Sequence, residues 1–158
     1  MNVTAEWVET LYQRHGRALL GYLGRSFGRS EAAEDLLHET FVQALRRVDR
    51  LGDAASPRAW LFGIARRVGL ASLRRRRMSP LPADVPQAPA AEADDRLDRL
   101  RQAVAALPQP QREAMELRLV DGLSYEEIAG VLDVPVGTVR SRLHGAVQRL
   151  REEMLRGV

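Results

Sequence analysis

The sequence predicts an all-α protein made of two small helical domains, joined by a flexible linker rich in proline and alanine. Apolar residues recur every three to four positions on both sides of that linker, which is the spacing of amphipathic helices. No stretch of the 158-residue chain alternates as a strand does, and aromatic residues make up only 5%. Four prolines fall within residues 79–95, so we expect an extended tether between domains 1–78 and 96–158.

Three amphipathic helices are predicted in the first domain. Their spans are Glu6–Leu23, Ser30–Val48 and Pro57–Met78, with a turn at 24–28 and a loop at 49–56. Ser30 caps the start of the second helix, Ser56 is the N-cap of the third, and Pro57 suits a first helical turn.

The second domain is predicted to begin with two further helices. They span Arg96–Ala106 and Gln111–Val120, with a break at 107–110. Leu97 and Leu100 lie on the apolar face of the first, Met115 and Leu119 lie one turn apart on the second, and Gly122 ends it.

A helix-turn-helix is predicted after Gly122. Ser124 and Glu127 have the spacing of a capping box that opens a short helix. Residues 133–134 then make a tight turn, Pro135 opens the next helix, and Gly130 is expected to allow close helix approach. Two helices joined by so short a turn form this motif.

The second helix of the motif has one apolar side and one polar side. The apolar side holds Val139, Leu143, Ala146, Val147 and Leu150. The opposite side holds Thr138, Ser141, His144, Gly145 and Gln148, flanked by Arg140 and Arg142. Ordinary bundle helices share this pattern, but the capping box, short turn and flanking arginines together favour DNA reading in a major groove.

The positive charge is concentrated in the first domain. All 24 basic residues counted as Lys+Arg are arginine, a usage that a GC-rich genome also produces. Residues 1–78 carry a net charge of +6, residues 79–95 carry −4 and residues 96–158 carry +1. A basic block of this kind indicates a polyanionic partner, and the run Arg74–Arg77 favours that interpretation over an ordinary solvated surface.

Composition excludes several classes of site. The chain has no cysteine, so no disulfide framework, thiol nucleophile or cysteine-ligated zinc is expected. The three histidines lack metal-ligand spacing, and we expect neither a metal nor a cofactor. The N-terminus lacks a signal-peptide pattern and no apolar run reaches the ~20 residues of a membrane span, so we expect a soluble intracellular protein.

Three motifs resemble those of bacterial alternative sigma factors of the extracytoplasmic-function (ECF) group. Residues 33–41 (AEDLLHETF) resemble the family's core-polymerase-binding helix, and residues 60–66 (WLFGIAR) resemble its promoter-opening helix. Residues 107–112 (LPQPQR), 123–129 (LSYEEIA) and 136–142 (VGTVRSR) resemble the domain that reads the minus-35 promoter element. The resemblance covers nearly the whole chain outside the linker. It implies a protein that binds core RNA polymerase, recognises promoter DNA and promotes transcription initiation.

The resemblance also implies roles for individual residues. It implies that Asp35, His38 and Glu39 bind the β′ clamp of core RNA polymerase. The β flap of the polymerase is a second expected contact. For binding and melting the minus-10 element it implies Trp60, Arg66, Arg67, Arg74 and Arg75. For the minus-35 element it implies Ser124, Tyr125, Thr138, Arg140, Ser141, Arg142 and His144.

For two of these residues, Trp60 and Arg142, the sequence leaves more than one role open. Trp60 sits among core positions, so packing is favoured over base contact and the loop at 49–56 becomes the better candidate for holding a flipped base. Arg140 is expected to meet a base, whereas Arg142 is expected to meet a phosphate or to form an ion pair within the domain.

The chain departs from the family pattern at several positions. Arg67 and Ala71 stand where members often have Asn and Asp, and His38 replaces the usual Gln. His144 and Gly145 replace an aromatic-Arg or similar pair, and Gly145 is expected to leave an outward gap. The promoter sequence read by a relative therefore does not transfer to this chain.

Other functions compete with this interpretation. One is a two-domain transcriptional regulator whose first domain senses a ligand or dimerises, and another is an enzyme. The sequence has no nucleophile–base set and no phosphate-binding glycine loop. An acidic helix beside a basic helix instead matches two macromolecules. The family resemblance implies single- and double-stranded promoter DNA, a bacterial cytoplasmic location and, in many members, an anti-sigma factor.

Overall fold

The computed structural model describes residues 3–28, 31–53, 56–78 and 94–156, and every regular element among them is helical. This confirms the predicted all-α class. The helices are α1 (Val3–Phe27), α2 (Glu31–Arg46), α3 (Pro57–Arg77), α4 (Asp95–Ala105), α5 (Gln109–Leu119), α6 (Tyr125–Leu132) and α7 (Val136–Arg156), with a 3₁₀ helix at Val48–Asp53. One compact unit contains α1, α2 and α3, and a second contains α4, α5, α7 and most of α6.

Helix α1 is longer than the sequence predicts. It continues through Gly24 to Phe27 and ends at Gly28, whose φ of +126° is a conformation that favours glycine. The extra turn buries Phe27, whose ring stands edge-on to Tyr22 at a centroid distance of 5.9 Å. Burial of an aromatic ring outweighs the roughly 1 kcal/mol cost of a glycine inside a helix. The predicted cap Ser30 lies outside the described residues.

Aromatic side chains fill the core of the first unit. The Tyr22 ring also packs against Phe62, at a centroid distance of 5.2 Å, and both side chains are buried. Gly69 of α3 lies so close to the Phe27 ring that a Cβ at this position would overlap it. The glycine at position 69 therefore allows α3 to approach α1 to the thickness of one ring.

The connection from α2 to α3 is more regular than the predicted loop. Helix α2 ends at Arg46, and the 3₁₀ helix Val48–Asp53 replaces most of the expected irregular segment. The Arg47 N–H is shared between the carbonyls of Gln43 (3.1 Å) and Ala44 (3.2 Å), which is how an α-helix tightens into a 3₁₀ helix.

The predicted start of α3 is confirmed. The Ser56 side chain is the N-cap and accepts a hydrogen bond from the Ala59 N–H at 3.1 Å, and Pro57 is the first helical residue. The cap fixes where α3 begins, and with it the register of the residues that α3 buries.

In the second unit, α4 and α5 both pack against α7. Helix α4 begins one residue before its predicted start, because the side chain of Asp94 caps it and Asp95 is its first residue. Residues 79–93 of the predicted linker lie outside the described residues. None of the α4 residues is buried, and Leu97 and Leu100 are 50% and 39% exposed. The predicted apolar face of α4 is therefore only partly covered within this structure.

Helix α5 begins two residues before its predicted start. The Pro108 carbonyl accepts a hydrogen bond from the Arg112 N–H at 2.9 Å, and Pro110 fits the first turn, where its missing N–H is not needed. Met115 is buried as its apolar position predicts, whereas Leu119 is 71% exposed. Although the two residues lie one turn apart on α5, only Met115 lies in the core.

Candidate nucleic-acid and partner interface

The capping box predicted at the start of α6 is confirmed. The Ser124 side-chain oxygen accepts from the Glu127 N–H at 3.1 Å, and the Ser124 N–H donates to Glu127 Oε1 at 3.0 Å. The carboxylate of Glu127 is buried by this arrangement, at 8% exposure for the residue. The predicted minus-35 residue Ser124 thus has its oxygen engaged in the cap, which leaves its hydroxyl proton for a further partner.

The turn between α6 and α7 is tight. Asp133 adopts the left-handed conformation (φ 55°, ψ 50°), and the Val134 N–H donates to the Ala129 carbonyl at 3.1 Å. Pro135 lies just before the first residue of α7, and its carbonyl accepts from the Thr138 N–H at 2.9 Å. The expectation for Gly130 is wrong, because it is exposed and a Cβ there would meet no described atom within 4 Å.

The first half of helix α7 has a buried apolar side and an exposed polar side, as predicted. Val139, Leu143 and Ala146 are buried, whereas Val147 is 40% exposed. On the other side, the predicted minus-35 residues Arg140, Ser141 and His144 are exposed, and Thr138 and Arg142 are half-buried. These five residues lie along one helix, and three of them are exposed.

Gly145 does not leave the outward gap that the sequence predicts. It is half-buried, and a Cβ at this position would stand 2.7 Å from Nε2 of Gln111, which belongs to α5. The carboxamide of Gln111 therefore occupies the space that a side chain at position 145 would take. This contact of Gln111 was not predicted, because no local pattern links a residue of α5 to one of α7.

Arg118 is a second residue that the sequence analysis missed. One of its guanidinium nitrogens donates to the Leu123 carbonyl at 2.9 Å, and its Cζ lies 5.3 Å from the centroid of the Tyr125 ring. The hydrogen bond and the cation–π contact tie the end of α5 to the start of α6. Tyr125, which the sequence assigns to the minus-35 element, is half-buried under this arginine.

The three predicted polymerase-binding residues share one exposed side of α2. Asp35 and Glu39 lie one helical turn apart, His38 lies between them, and all three are exposed. The Glu39 carboxylate accepts a hydrogen bond from Gln43 Nε2 at 3.1 Å. Because that bond lies along the helix surface, it orients the Glu39 carboxylate and leaves its second oxygen open to a cation.

The predicted minus-10 residues of α3 divide into two groups. Trp60 is only 9% exposed, and the centroid of its ring lies 6.4 Å from the centroid of the Trp7 ring. The structure therefore places Trp60 in the core rather than on a base-binding surface. Arg67, Arg74 and Arg75 are exposed and Arg66 is half-buried. The packing alternative for Trp60 is therefore the one that the structure supports.

The arginine run at the end of α3 is not uniform. Arg76 donates a hydrogen bond from Nη1 to the Phe27 carbonyl at 3.1 Å, across 49 residues of sequence. This carbonyl lies at the C-terminal end of α1, where the helix dipole favours a positive charge. Arg76 thus joins α3 to α1, although all four arginines of the run are exposed.

A groove of about 220 Å³ lies between α2 and α3. Its charged lining residues are Glu39, Arg47, Arg67 and Arg75, with Ile64, Val68 and Ala71 among the others. The groove thus joins a predicted polymerase-binding residue to two predicted DNA-binding residues.

Two kinds of feature were not found in the described part of the chain. It contains no group of three or more histidine, cysteine or acidic residues arranged to hold a metal ion. Of the helices described, none has both the length and the apolar character needed to cross a membrane.

Family comparisons match both units. The model of sigma-70 region 2 matches residues 11–78, and the model of sigma-70 region 4 matches residues 97–150. The first match spans α2 and α3, and the second spans the helix-turn-helix.

Similar proteins and structures carry the same description. The chain is 37% identical to the ECF RNA polymerase sigma factor SigE of Mycolicibacterium smegmatis over 92% of its own length and 60% of that protein. It is 34% identical to the ECF RNA polymerase sigma factor SigL of Mycobacterium tuberculosis over 93% of its length and 88% of that protein. The sigma factor RpoE from Bartonella quintana, solved with the anti-sigma factor NepR, superposes with a TM-score of 0.70 at 28% identity, covering 92% of this chain and 95% of that one. This chain belongs to the sigma-70 family and, within it, to the ECF group of RNA polymerase sigma factors.

Proposed function

We propose that this chain is an alternative sigma factor that binds core RNA polymerase, recognises promoter DNA and promotes transcription initiation by binding rather than by catalysis. The observation that carries the proposal is the exposed polar side of α7, mounted on a capped helix-turn-helix in a chain that also carries the sigma-70 region 2 match. On this proposal it acts in the bacterial cytoplasm, where core polymerase is found.

The second unit reads the minus-35 element on this proposal. Helix α7 lies in the major groove, with Arg140 pairing with a base and Arg142 contacting a phosphate. Exposure supports this division, because Arg140 is exposed and Arg142 is half-buried, which makes Arg140 the more accessible of the two to a base edge. Thr138, Ser141 and His144 complete the surface, and Ser124 and Tyr125 lie at the start of α6 beside it.

The first unit holds core polymerase through α2. Asp35 and Glu39 present two carboxylates one turn apart, a spacing that suits cationic side chains of the β′ clamp. Asp35→Ala together with Glu39→Ala should weaken core binding while leaving the unit folded, because both residues are exposed. The matched control is Glu9→Ala of α1, which removes another exposed carboxylate from the same unit. Wild-type core affinity in the double variant would contradict this assignment.

The exposed arginines of α3 bind minus-10 DNA on this proposal. Arg67, Arg74 and Arg75 supply positive charge to the phosphates of a strand that is being separated. Since Trp60 is buried, the surface for an unstacked base comes from the segment between α2 and α3, whose Asp49 and Arg50 are exposed.

In vitro transcription tests the proposal as a whole. Purified chain is added to core polymerase with a library of promoter templates, and run-off transcripts are sequenced. Transcripts that depend on the chain and share an upstream and a downstream element support it. A chain that neither binds core polymerase without DNA nor yields transcripts contradicts it, and binding to DNA alone would favour a conventional regulator instead.

Further partners follow from the family. The β flap of core polymerase is the expected contact of the second unit. RpoE of Bartonella quintana was solved with an anti-sigma factor, which supports an anti-sigma factor as a regulator of this chain.

A further inference from the structure

The side chain of Gln111 lies against α7 at Gly145, one of the two glycines of that helix. Gly145 follows Ser141 by one helical turn, and the two residues therefore share a face. Nε2 of Gln111 would be 2.7 Å from a Cβ at position 145, and the amide carbon would be 3.6 Å from it. The end of the Gln111 side chain thus fills the place from which a residue at 145 would project.

The amide oxygen of Gln111 lacks a hydrogen bond in this position. Oε1 is buried and has no partner in the described structure. The backbone N–H groups in the middle of α7 bond within the helix, so they offer no donor to it. A buried oxygen without a donor costs free energy, and the cost is removed if the carboxamide turns towards a donor outside the chain.

A carboxamide is also the group that recognises adenine in the major groove. It accepts a hydrogen bond from N6 and donates one to N7 at the same time. Gln111 meets α7 at Gly145, which is next to His144 in sequence and one turn from Ser141, and both of those residues are exposed.

We infer that Gln111, a residue of α5 and thus outside the helix-turn-helix, reads an adenine in the upstream promoter element through the space left by Gly145. The inference rests on the proposed function, because it requires α7 to lie in the major groove of that element. It makes α5 a second source of base recognition, in a chain whose recognition helix lacks a side chain at position 145.

Two substitutions separate base reading from simple space filling. Gln111→Leu keeps most of the volume and removes both hydrogen-bonding atoms. Gln111→Glu keeps the shape but only accepts hydrogen bonds, so it should favour cytosine, whose N4 donates. A residue that merely filled space would change thermal stability in these variants without changing base preference.

The test uses holoenzyme assembled from core polymerase and the full chain, with a promoter library randomised across the upstream element. Gln111→Leu should lose the preference for adenine at one position by about tenfold, and Gln111→Glu should shift that position towards cytosine. The control is Gln109→Leu, on the same helix, because the Gln109 amide is engaged with Glu113 Oε2 at 3.1 Å. That variant should reproduce the wild-type profile.

Two results overturn the inference and can be told apart. If both Gln111 variants keep the wild-type profile while Arg140→Ala alters it, α7 reads the element and Gln111 does not. If wild-type holoenzyme shows no base preference anywhere in the element, the proposed minus-35 role fails together with the inference.

Discussion

Helices α3 and α7 are both 21 residues long and both carry arginine, yet they distribute it differently. In α3 the buried and exposed residues lie at opposite ends of the helix: residues 59–65 are all buried, and the run Arg74–Arg77 is exposed at the far end. In α7 the buried and exposed residues lie on opposite sides of the same turns, since buried Val139 and Leu143 alternate with exposed Arg140 and His144.

The two arrangements suit two kinds of DNA contact. A helix that exposes one charged end offers a dense positive charge with no fixed pattern of donors, which suits phosphates of any sequence. A helix that exposes one side along several turns can lie in a groove and place individual side chains on base edges. We therefore expect α3 to contribute salt-dependent affinity and α7 to contribute sequence preference.

The largest expected effect concerns the buried half of α3. Gly69→Ala places a Cβ where the Phe27 ring now lies, and it should destabilise the first unit by about 1–3 kcal/mol through overpacking. Chemical denaturation of the full chain measures the change. Gly21→Ala is the control, because a Cβ there meets no described atom within 4 Å, and it should stabilise α1 by about 0.5–1 kcal/mol. Equal effects of the two substitutions would show that α3 does not approach α1 as described.

The next effect concerns the support of α7 rather than its surface. Ser124→Ala removes the acceptor of the Glu127 N–H and should destabilise the second unit by about 1 kcal/mol. Ser141→Ala, on the exposed side of α7, should change stability by less than about 0.5 kcal/mol. Thermal unfolding distinguishes them, and a Ser124 variant as stable as the Ser141 variant would contradict the role of the cap.

The smallest effect divides the arginine run of α3. Arg76→Ala loses the hydrogen bond to the Phe27 carbonyl and should destabilise the first unit by about 0.5–1 kcal/mol. Arg77→Ala is the matched control, since Arg77 is exposed at the next position. The prediction is wrong if both variants unfold at the same denaturant concentration.

Local signals predicted most of the helix-turn-helix and the start of α3. The capping box at Ser124, the cap at Ser56 and the turn at 133–134 depend on residues within four positions of one another, so the sequence contains their whole cause. The end of α1 was predicted too early, at Leu23, because a glycine such as Gly24 does not end a helix when burial of a residue beyond it stabilises another turn. Phe27 is buried, and that burial depends on the packing of α3.

The candidate site was predictable where residues act on one helix, and it was not where two helices meet. The exposed positions Asp35, Glu39, Arg140 and Ser141 follow from helical periodicity alone. The contact of Gln111 with Gly145 depends on how α5 packs on α7. In the same way, four identical arginines give no sign that Arg76 alone among them reaches the end of α1.

The most direct test of the contrast between α3 and α7 is the binding of holoenzyme to promoter DNA over a range of salt concentrations and upstream sequences. Arg74→Ala with Arg75→Ala should lower the slope of log affinity against log salt by about one for each arginine and leave the base preference unchanged. Arg140→Ala should cost about 1–3 kcal/mol and relax the preference at one upstream position. If the α3 double variant changes base preference, or if Arg140→Ala weakens all sequences alike, the division of roles between the two helices is contradicted.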